Sequence, residues 1–397
     1  MKPGDSGGAT ILGRGVGAGK AVNIMIRCLA LLVFAFLTFG RPVLAEQPLP
    51  KILEAIQIFL DRYSYAAPGR AITWTVEENA GPPGFRLVNA VIKSSDPAFS
   101  ENRSLLITTD WKWIFDGHVL HLPESAAAGA FSVSSESLSR YLSQKTGGEM
   151  SVGWAKGDKP SSVRLATITQ RTPLGPVTSG AAFSKDKRWF FFGAFFPLSA
   201  DPRTERIEML RLTGLPSEGP SRAPVTIVEC SDFGCPACAD LQPAIYAILK
   251  KHAGEIRIVH LDLPELAGHA WAFAAAERGL CVYKVSPGLY PSYRDLVFGM
   301  QQFLSDANVE AQLFATVMGL GVPVPLWKEC GQKMWARDRI LADLGAARTL
   351  GLNGTPVLFV NGVLLDRGIP SLLETEVEAA LAGRKDMRTV PASQEPH

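Results

Sequence analysis

One stretch of the chain reads Val225-Thr226-Ile227-Val228-Glu229-Cys230-Ser231-Asp232-Phe233-Gly234-Cys235-Pro236-Ala237-Cys238. Its apolar beginning predicts a buried strand, and the Ser, Asp and Gly residues that follow predict a turn. The proline after Cys235 is typical of the first turn of a helix. Further on, the run from Gly354 to Gly362 predicts a second strand, which is entered through Pro356 and ends in a hairpin turn.

The two cysteines of this stretch are the predicted reactive pair. A thiolate, and not a thiol, attacks a disulfide, and the N–H groups and dipole of a helix N-terminus favour the thiolate at Cys235. Cys238 lies one helical turn later and is placed to resolve a mixed disulfide. Pro236 costs the helix no hydrogen bond. We therefore predict a thiol–disulfide oxidoreductase whose redox group is a Cys235–Cys238 disulfide, with no other cofactor and no metal.

Three neighbouring positions bear on this chemistry. Ala237 cannot donate to a thiolate or add positive charge, so we expect a mild oxidant. Glu229 precedes the dithiol on its strand and is a candidate proton acceptor during resolution, or else reaches solvent at a strand end. If the Thr355–Pro356 bond is cis, the backbone of Thr355 is free to pair with an extended substrate.

The remaining cysteines leave two questions open. Cys281 and Cys330 either form a disulfide that closes a loop of about 50 residues or stay as two buried thiols, and export favours the bridge. Cys230, Cys235 and Cys238 also have the spacing of an iron–sulfur site, with Cys281 or Cys330 as the fourth ligand. Against that alternative, Cys230 falls within a predicted buried strand.

The N-terminus predicts export from the cytoplasm. A short basic segment, Met25-Ile26-Arg27, precedes an apolar run from Cys28 to Phe39, and Val43-Leu44-Ala45 gives a small-x-small cleavage site. We expect residues 1–45 to be a signal peptide with a long n-region, cleaved near Ala45, and the protein to be periplasmic. An uncleaved membrane anchor is the alternative, and the chain can start at Met1 or Met25.

The first half contains an internal repeat. Leu60-Asp61-Arg62-Tyr63 recurs as Leu138-Ser139-Arg140-Tyr141, and the segment 72–94 aligns on 150–172 at the same offset. Trp113-Ile114-Phe115-Asp116-Gly117 then matches Trp189-Phe190-Phe191-Phe192-Gly193 after a slip of two residues. We predict two helix-plus-antiparallel-sheet modules, at 46–125 and 126–212. The aromatic strand at 190–196 is core or, where exposed, an interface.

The second half is predicted to be the catalytic domain. Residues 213–224 are rich in Pro, Gly and Ser and predict a linker, followed by a domain over 225–385 and a disordered tail over 386–397. The fold class is therefore mixed, α+β and α/β. A net charge of +2 argues against a nucleic-acid-binding protein.

The dithiol segment and the Gly354–Gly362 run resemble those of exported DsbA-like thioredoxin-fold proteins. The resemblance implies a thioredoxin fold with a helical insertion near 263–350. It also implies Cys235 as nucleophile, Cys238 as resolving cysteine, Pro356 as cis proline and Glu229 as buried acid. Cys281 and Cys330 match a second disulfide of some members. The chain departs from the family at Cys230, where an aromatic residue is usual, and at Ala237. Thr355 before the proline is more like the disulfide isomerases.

The resemblance also implies partners. These are exported proteins with cysteines, and a membrane redox partner of the DsbB, VKOR or DsbD kind. The first half is distantly similar to the dimerisation domain of the DsbC/DsbG isomerases, which together with the aromatic strand suggests a homodimer through that half. Oxidase and isomerase or reductase activity both stay open. The alternative from another class is a peptide-binding chaperone with an incidental dithiol.

Overall fold

The computed structural model of the protein describes residues 50–64, 69–78, 80–95, 100–122, 134–266, 268, 270–366 and 370–383. The predicted signal peptide (1–45) and the predicted tail (386–397) lie outside these ranges. Within them, no helix combines the length and the apolar character needed to cross a membrane.

The N-terminal half consists of two similar units, each a helix followed by four strands. The first unit contains α1 (Pro50–Tyr63), β1 (Ala71–Glu77), β2 (Phe85–Lys93), β3 (Glu101–Thr108) and β4 (Trp113–His121). The second contains α2 (Ser135–Thr146), β5 (Met150–Trp154), β6 (Val163–Thr172), β7 (Gly175–Ser184) and β8 (Trp189–Pro197). All eight strands form one antiparallel sheet in the order β1-β2-β3-β4-β8-β7-β6-β5. Helix-plus-sheet modules are thus confirmed for this half.

The order of this sheet is a palindrome, because β4 of the first unit pairs with β8 of the second. The pairing is centred on Gly117 and Gly193, which lie opposite each other with φ angles of 151° and 157°. A β-carbon on Gly193 would lie 2.2 Å from the Asp116 carbonyl oxygen. Only glycine allows the strands to approach so closely. The two units are therefore related by an approximate two-fold axis through this glycine pair.

The two faces of the sheet are buried in different ways. Helix α1 packs Phe59 and Leu60 on the strands of the first unit, and α2 packs Leu138 on those of the second. The other face is filled by aromatic rings, such as those of Phe115 and Phe195, whose centroids are 4.7 Å apart. The two units thus share this part of the core.

The aromatic strand β8 lies inside this core. Phe191 has no solvent exposure and Phe196 is 1% exposed. The strand pairs with β4 on one side and β7 on the other. Most of the strand is therefore core, whereas Phe192 and Phe195 are only partly buried. Dimerisation itself stays a prediction.

The C-terminal half is a five-stranded sheet with helices on both faces. Its strands are β9 (Ser217–Glu218), β10 (Val225–Ser231), β11 (Ile256–Asp262), β12 (Val357–Val360) and β13 (Val363–Asp366), in the order β13-β12-β10-β11-β9. Strand β10 is parallel to β11 and antiparallel to β12. The helices are α3 (Pro202–Leu210), α4 (Pro236–Lys251), α5 (Ala270–Val285), α6 (Tyr290–Gly299), α7 (Val309–Gly319), α8 (Val324–Gln332), α9 (Trp335–Thr349) and α10 (Pro370–Ala382).

Strand β10 is the centre of this half and is buried on both faces. Val225 and Ile227 pack toward the cluster that includes α4 and α10, whereas Val228 and Cys230 pack toward the helices between β11 and β12. A strand covered on both sides reads as a continuous apolar run, which is how this segment appears in the sequence. Helices α5 to α9 form the predicted helical insertion.

The predicted linker at 213–224 differs from the structure. Ser217 and Glu218 form β9, which pairs with β11 and gives the catalytic sheet an edge strand. Gly219 makes this possible, because a β-carbon there would lie 2.2 Å from the Ile256 carbonyl oxygen. The glycine that suggested a linker is needed for close strand packing.

Helix α9 joins the two halves by packing on β7. Gly345 lies so close to this strand that a β-carbon would meet the Thr178 carbonyl oxygen at 2.0 Å. The Gly180 N–H donates to the Thr349 hydroxyl at 2.7 Å, and Arg348 donates to the Gln170 side chain at 2.8 Å. The N-terminal sheet is therefore held against the catalytic half through the helix that leads into the Thr355–Pro356 segment.

Candidate active site

The dithiol lies where β10 passes into α4. Cys235 is the N-cap residue of the helix, with φ −85° and ψ 116°, and Pro236 occupies its first turn. Cys235 is partly exposed, and Cys238 is fully buried one turn further on. The pair thus combines one accessible sulfur with one shielded sulfur.

The two sulfurs differ in their affinity for a proton. A hydrogen bond from Cys238, helped by hydrogen bonds with Thr355 and the Cys238 backbone, lowers the pKa of Cys235 to about 6 despite partial burial. The same hydrogen bond, together with burial, raises the pKa of Cys238 far above its usual value. At neutral pH, Cys235 is the thiolate and Cys238 holds the proton.

The second part of the site is the loop before β12. The Thr355–Pro356 peptide bond is cis, and the Cys235 sulfur lies 3.4 Å from the Thr355 carbonyl oxygen. Antiparallel pairing of β12 with β10 sets Val357 opposite Cys230, so this loop is held at the end of β10 from which the dithiol follows. The structure therefore brings Cys235, Pro236, Thr355 and Pro356 together.

Asp232 shapes the turn between the strand and the helix. Its carboxylate accepts hydrogen bonds from the Gly234 N–H at 2.8 Å and from the Glu265 N–H at 3.0 Å, and its carbonyl accepts from the Cys235 N–H at 3.0 Å. Its negative charge opposes ionisation of Cys235. The sequence predicted the turn at this Asp-x-Gly segment, but not the contact of Asp232 with Glu265.

Glu229 is enclosed by three partners in the core. Its carboxylate accepts from Arg294 at 2.6 Å, from Gln242 at 2.8 Å, and lies 2.8 Å from the His260 ring nitrogen. Burial favours the neutral acid, but the Arg294 charge and the His260 contact outweigh it and lower the pKa of Glu229 to about 2.

These contacts keep the Glu229 carboxylate ionised at neutral pH. The proton-acceptor role predicted for Glu229 stays a prediction, and the contacts give the residue a structural role as well. Gln242 donates to Glu229 at 2.8 Å and to the Cys238 carbonyl at 2.9 Å. It therefore connects the Glu229–Arg294 ion pair to the first turn of α4. The partners Gln242, His260 and Arg294 were missed, because they come from three distant elements.

A second carboxyl group, Asp262, lies in the same buried cluster. It is 5% exposed, and Arg294 approaches it to 3.7 Å. Burial raises the pKa of Asp262 to about 6, against the opposing charge of Arg294. The Arg294 guanidinium thus lies beside two carboxyl groups, but among the two it donates a hydrogen bond only to Glu229.

The other cysteines of the described ranges are one disulfide pair and one buried thiol. Cys281 of α5 and Cys330 of α8 form a disulfide. Cys230 is a free thiol without solvent exposure on β10, and burial raises its pKa. No group of three His, Cys, Asp or Glu side chains in the described ranges is placed to hold a metal ion.

Two grooves flank the Leu352–Thr355 segment, and the N-terminal sheet contributes to both. The first groove, of about 690 Å³, contains Cys235 together with Gln170 and Thr172 of β6. The second, of about 670 Å³, contains Thr355 and Pro356 together with residues of β3 and β4. Access to the Cys235 sulfur is thus bordered by both halves of the chain.

Comparison with known proteins agrees with this geometry. Residues 214–373 match the family described as Thioredoxin. The probable disulfide bond formation protein D of Bacillus anthracis is 24% identical over 178 residues, which cover 43% of this chain and 81% of that protein. The Na(+)/H(+) antiporter NhaA 3 of Salinispora tropica is 32% identical over 144 residues, 36% of this chain, and the match spans 21% of the antiporter's length.

Solved structures with some likeness cover the same half. The thiol-disulfide exchange protein alpha-DsbA2 from Wolbachia pipientis is 19% identical with a TM-score of 0.39, over 45% of this chain and 95% of that one. BdbD from Bacillus subtilis is 20% identical with a TM-score of 0.38, over 43% and 94%.

The family match and the dithiol beside a cis-proline loop define the class of the C-terminal half. It is a thioredoxin-fold domain of the thiol–disulfide oxidoreductase class.

Proposed function

We propose that the protein catalyses thiol–disulfide exchange on cysteine-containing exported proteins outside the cytoplasm. The observation that carries the proposal is the unequal pair at the start of α4, with an accessible Cys235 whose pKa is lowered to about 6 and a buried Cys238. Thiolate character with access to solvent is what a nucleophilic cysteine requires. Export and a DsbB-, VKOR- or DsbD-like membrane partner are supported by the sequence resemblance.

The exchange proceeds in two balanced steps. The Cys235 thiolate attacks one sulfur of a substrate disulfide, and the substrate's other sulfur leaves as a thiolate. Cys238 then loses its proton and attacks the Cys235 sulfur, which releases the second substrate thiolate and leaves a Cys235–Cys238 disulfide. Two electrons pass from the dithiol to the substrate, and the reverse sequence oxidises a substrate dithiol.

The pKa difference helps the second step. The hydrogen bond to Cys235 is the largest cause of the raised pKa of Cys238. In the mixed disulfide Cys235 carries no charge, so this contribution disappears and Cys238 loses its proton more readily. The resolving sulfur is therefore activated only after the first step has taken place.

The redox potential tests the proposal and decides the direction of electron flow. A thiolate pKa of about 6 lies between the values near 7 and near 3.5 of a reducing and a strongly oxidising thioredoxin-fold protein. We expect a potential between roughly −270 and roughly −120 mV. It can be measured by equilibration with glutathione buffers and quantification of free thiols. A dithiol that does not exchange with glutathione would refute the proposed function.

A further inference from the structure

The sheet of the N-terminal half opens between β3 and β4. Within the described ranges these strands share only two register pairs, Leu106↔Phe115 and Ile107↔Ile114. Strand β3 continues to pair with β2 along its whole length, and β4 continues to pair with β8. Between Glu101–Leu105 and Asp116–His121 the two strands therefore border a gap, which we call the β3–β4 gap.

The second unit has the equivalent gap, and there it is filled. Strands β7 and β8 share only Ala182↔Phe191 and Phe183↔Phe190, the counterparts of the two pairs above. Helix α9 occupies this opening, where Gly345 lies against Thr178 and the Thr349 hydroxyl accepts from the Gly180 N–H at 2.7 Å. A polar group from another element thus satisfies the free edge of β7.

Comparison of the two units identifies a backbone N–H group that faces the β3–β4 gap. Aligning Trp113 with Trp189 makes Asn102 and Ser104 the counterparts of Thr178 and Gly180. Ser104 pairs with Asn89 of β2 in the register in which Gly180 pairs with Thr167 of β6. The Ser104 N–H therefore points into the β3–β4 gap, as the Gly180 N–H points to Thr349. A free strand edge favours pairing with another extended backbone.

This gap faces the catalytic site. The groove of about 670 Å³ is lined on one side by Asn102, Ser104, Gly117 and His118 of the gap. Its other side is the segment Leu350–Val357, which includes Thr355 and Pro356. Ala237 of the dithiol segment also lines this groove. The Cys235 sulfur lines the neighbouring groove and lies 3.4 Å from the Thr355 carbonyl oxygen, so the two grooves meet beside the reactive pair.

We propose that the β3–β4 gap is a binding site for the main chain of an extended, unfolded polypeptide substrate. The inference rests on the proposed function and adds the substrate class to it. A strand added to a sheet edge is recognised through backbone hydrogen bonds and accepts many sequences. The exposed side chains at the gap, Asn102, Ser104 and His118, are polar, as an edge that binds a polypeptide backbone requires. Arg103 of β3 pairs with Asp116 of β4 across the gap at 3.7 Å, so an added strand has to lie beside this ion pair. A small disulfide does not reach across the groove and gains nothing from the gap.

The test compares a variant that blocks the gap with a matched control. Ser104→Trp places a large side chain in the groove of about 670 Å³ over the gap, and Thr73→Trp makes a similar change at an exposed position of β1, two strands away. Binding of a ten-residue unfolded peptide without cysteine is measured by fluorescence anisotropy. Exchange rates are measured with a cysteine-containing unfolded peptide and with oxidised glutathione. Far-UV circular dichroism checks the fold of both variants.

We expect Ser104→Trp to weaken peptide binding about tenfold, equivalent to about 1.4 kcal/mol. The ratio of its exchange rates, peptide over glutathione, falls by a similar factor, whereas Thr73→Trp leaves both quantities as in the wild type. Unchanged binding in Ser104→Trp overturns the inference, as does an equal loss of rate with both substrates. A dimer that dissociates on Ser104→Trp assigns the gap to a second copy and also overturns it.

The binding arm separates this inference from the proposed function. If the wild type binds the peptide, loses it on Ser104→Trp and yet exchanges no disulfide, the site stands and the redox function fails. If exchange occurs but does not depend on the gap, the redox function stands and the inference fails.

Discussion

The guanidinium of Arg294 donates to the carboxylate of Glu229 at 2.6 Å, and neither side chain has any solvent exposure. Arg294 comes from α6 of the helical insertion, and Glu229 from the central strand that leads to the dithiol. The pair therefore links the insertion to the base of the active site. It also keeps the Glu229 carboxylate ionised and gives it a structural role.

Breaking this buried pair is expected to destabilise the domain strongly. Arg294→Met leaves the Glu229 carboxylate buried without its cation, which costs about 3–5 kcal/mol. The measurement is the free energy of unfolding in urea. The exposed pair Lys333–Glu329 is the control, since solvent screens it and Lys333→Met there leaves the stability nearly unchanged. Equal effects of the two substitutions would contradict the anchoring role.

The two cysteines near the end of β10 are expected to behave differently. Cys235→Ser abolishes insulin reduction, whereas Cys230→Ser leaves most of it, because the Cys230 thiol is buried and protonated. In the wild type, the rate of iodoacetamide labelling rises with a midpoint near pH 6, since Cys235 becomes a thiolate above its pKa of about 6. Labelling with a midpoint near that of a free cysteine, about 8.5, would contradict the lowered pKa.

Asp262 is expected to make stability fall as pH rises. Its pKa of about 6 in the folded protein exceeds the unfolded value of about 3.9, so the native state binds the extra proton between these values. Stability is therefore lost from about pH 4 to pH 6, by up to about 3 kcal/mol. Asp262→Asn has no such titration, so its free energy of unfolding should rise relative to that of the wild type between pH 4 and pH 7. Urea unfolding at both pH values measures this difference. The same pH dependence of the free energy of unfolding in both proteins would contradict the prediction.

The Cys281–Cys330 disulfide is expected to stabilise without taking part in exchange. It links residues 49 apart, and the chain-entropy model gives roughly 4 kcal/mol for a loop of this size. The Cys281→Ala/Cys330→Ala variant should lose about this much stability while its glutathione exchange rate stays near that of the wild type. Loss of exchange at a temperature where the variant is still folded would show that the bridge has a further role.

The central glycines of the N-terminal sheet are expected to tolerate no side chain. Gly193→Ala forces a β-carbon against the backbone of β4, which adds about 1–3 kcal/mol to the cost of its φ angle. Gly147 is the control, because it has a φ of 70° but a β-carbon there would meet no atom within 4 Å. Gly147→Ala should cost only the conformational term of about 1–2 kcal/mol. Thermal unfolding of both variants measures the difference.

Local sequence signals were sufficient for the catalytic half. An apolar run before Cys235, a proline after it and a proline-led strand at 356 are patterns of neighbouring residues, and they predicted the strand, the helix and the loop of the site. The repeat in the first half was also visible, because Trp113 and Trp189 begin matching segments. Both kinds of signal depend on residues close in the chain or on direct duplication.

Contacts between distant elements were not visible in the sequence. The partners of Glu229 come from α4, β11 and α6, and no pattern in the chain connects these positions. The contact of Gly345 with Thr178 is equally remote, since a small residue in a helix does not show which strand it packs against. Gly219 was misread as part of a linker for the same reason, because its packing partner, Ile256, lies on another strand.

The glycine pair at the centre of the N-terminal sheet has a consequence for how such a protein can diversify. In a homodimer with the same two-fold axis, both openings of the sheet would have the same sequence, so a substitution at one would also occur at the other. In a single chain the two openings can differ in sequence. Helix α9 packs into the opening between β7 and β8, and the β3–β4 gap is left for the proposed polypeptide.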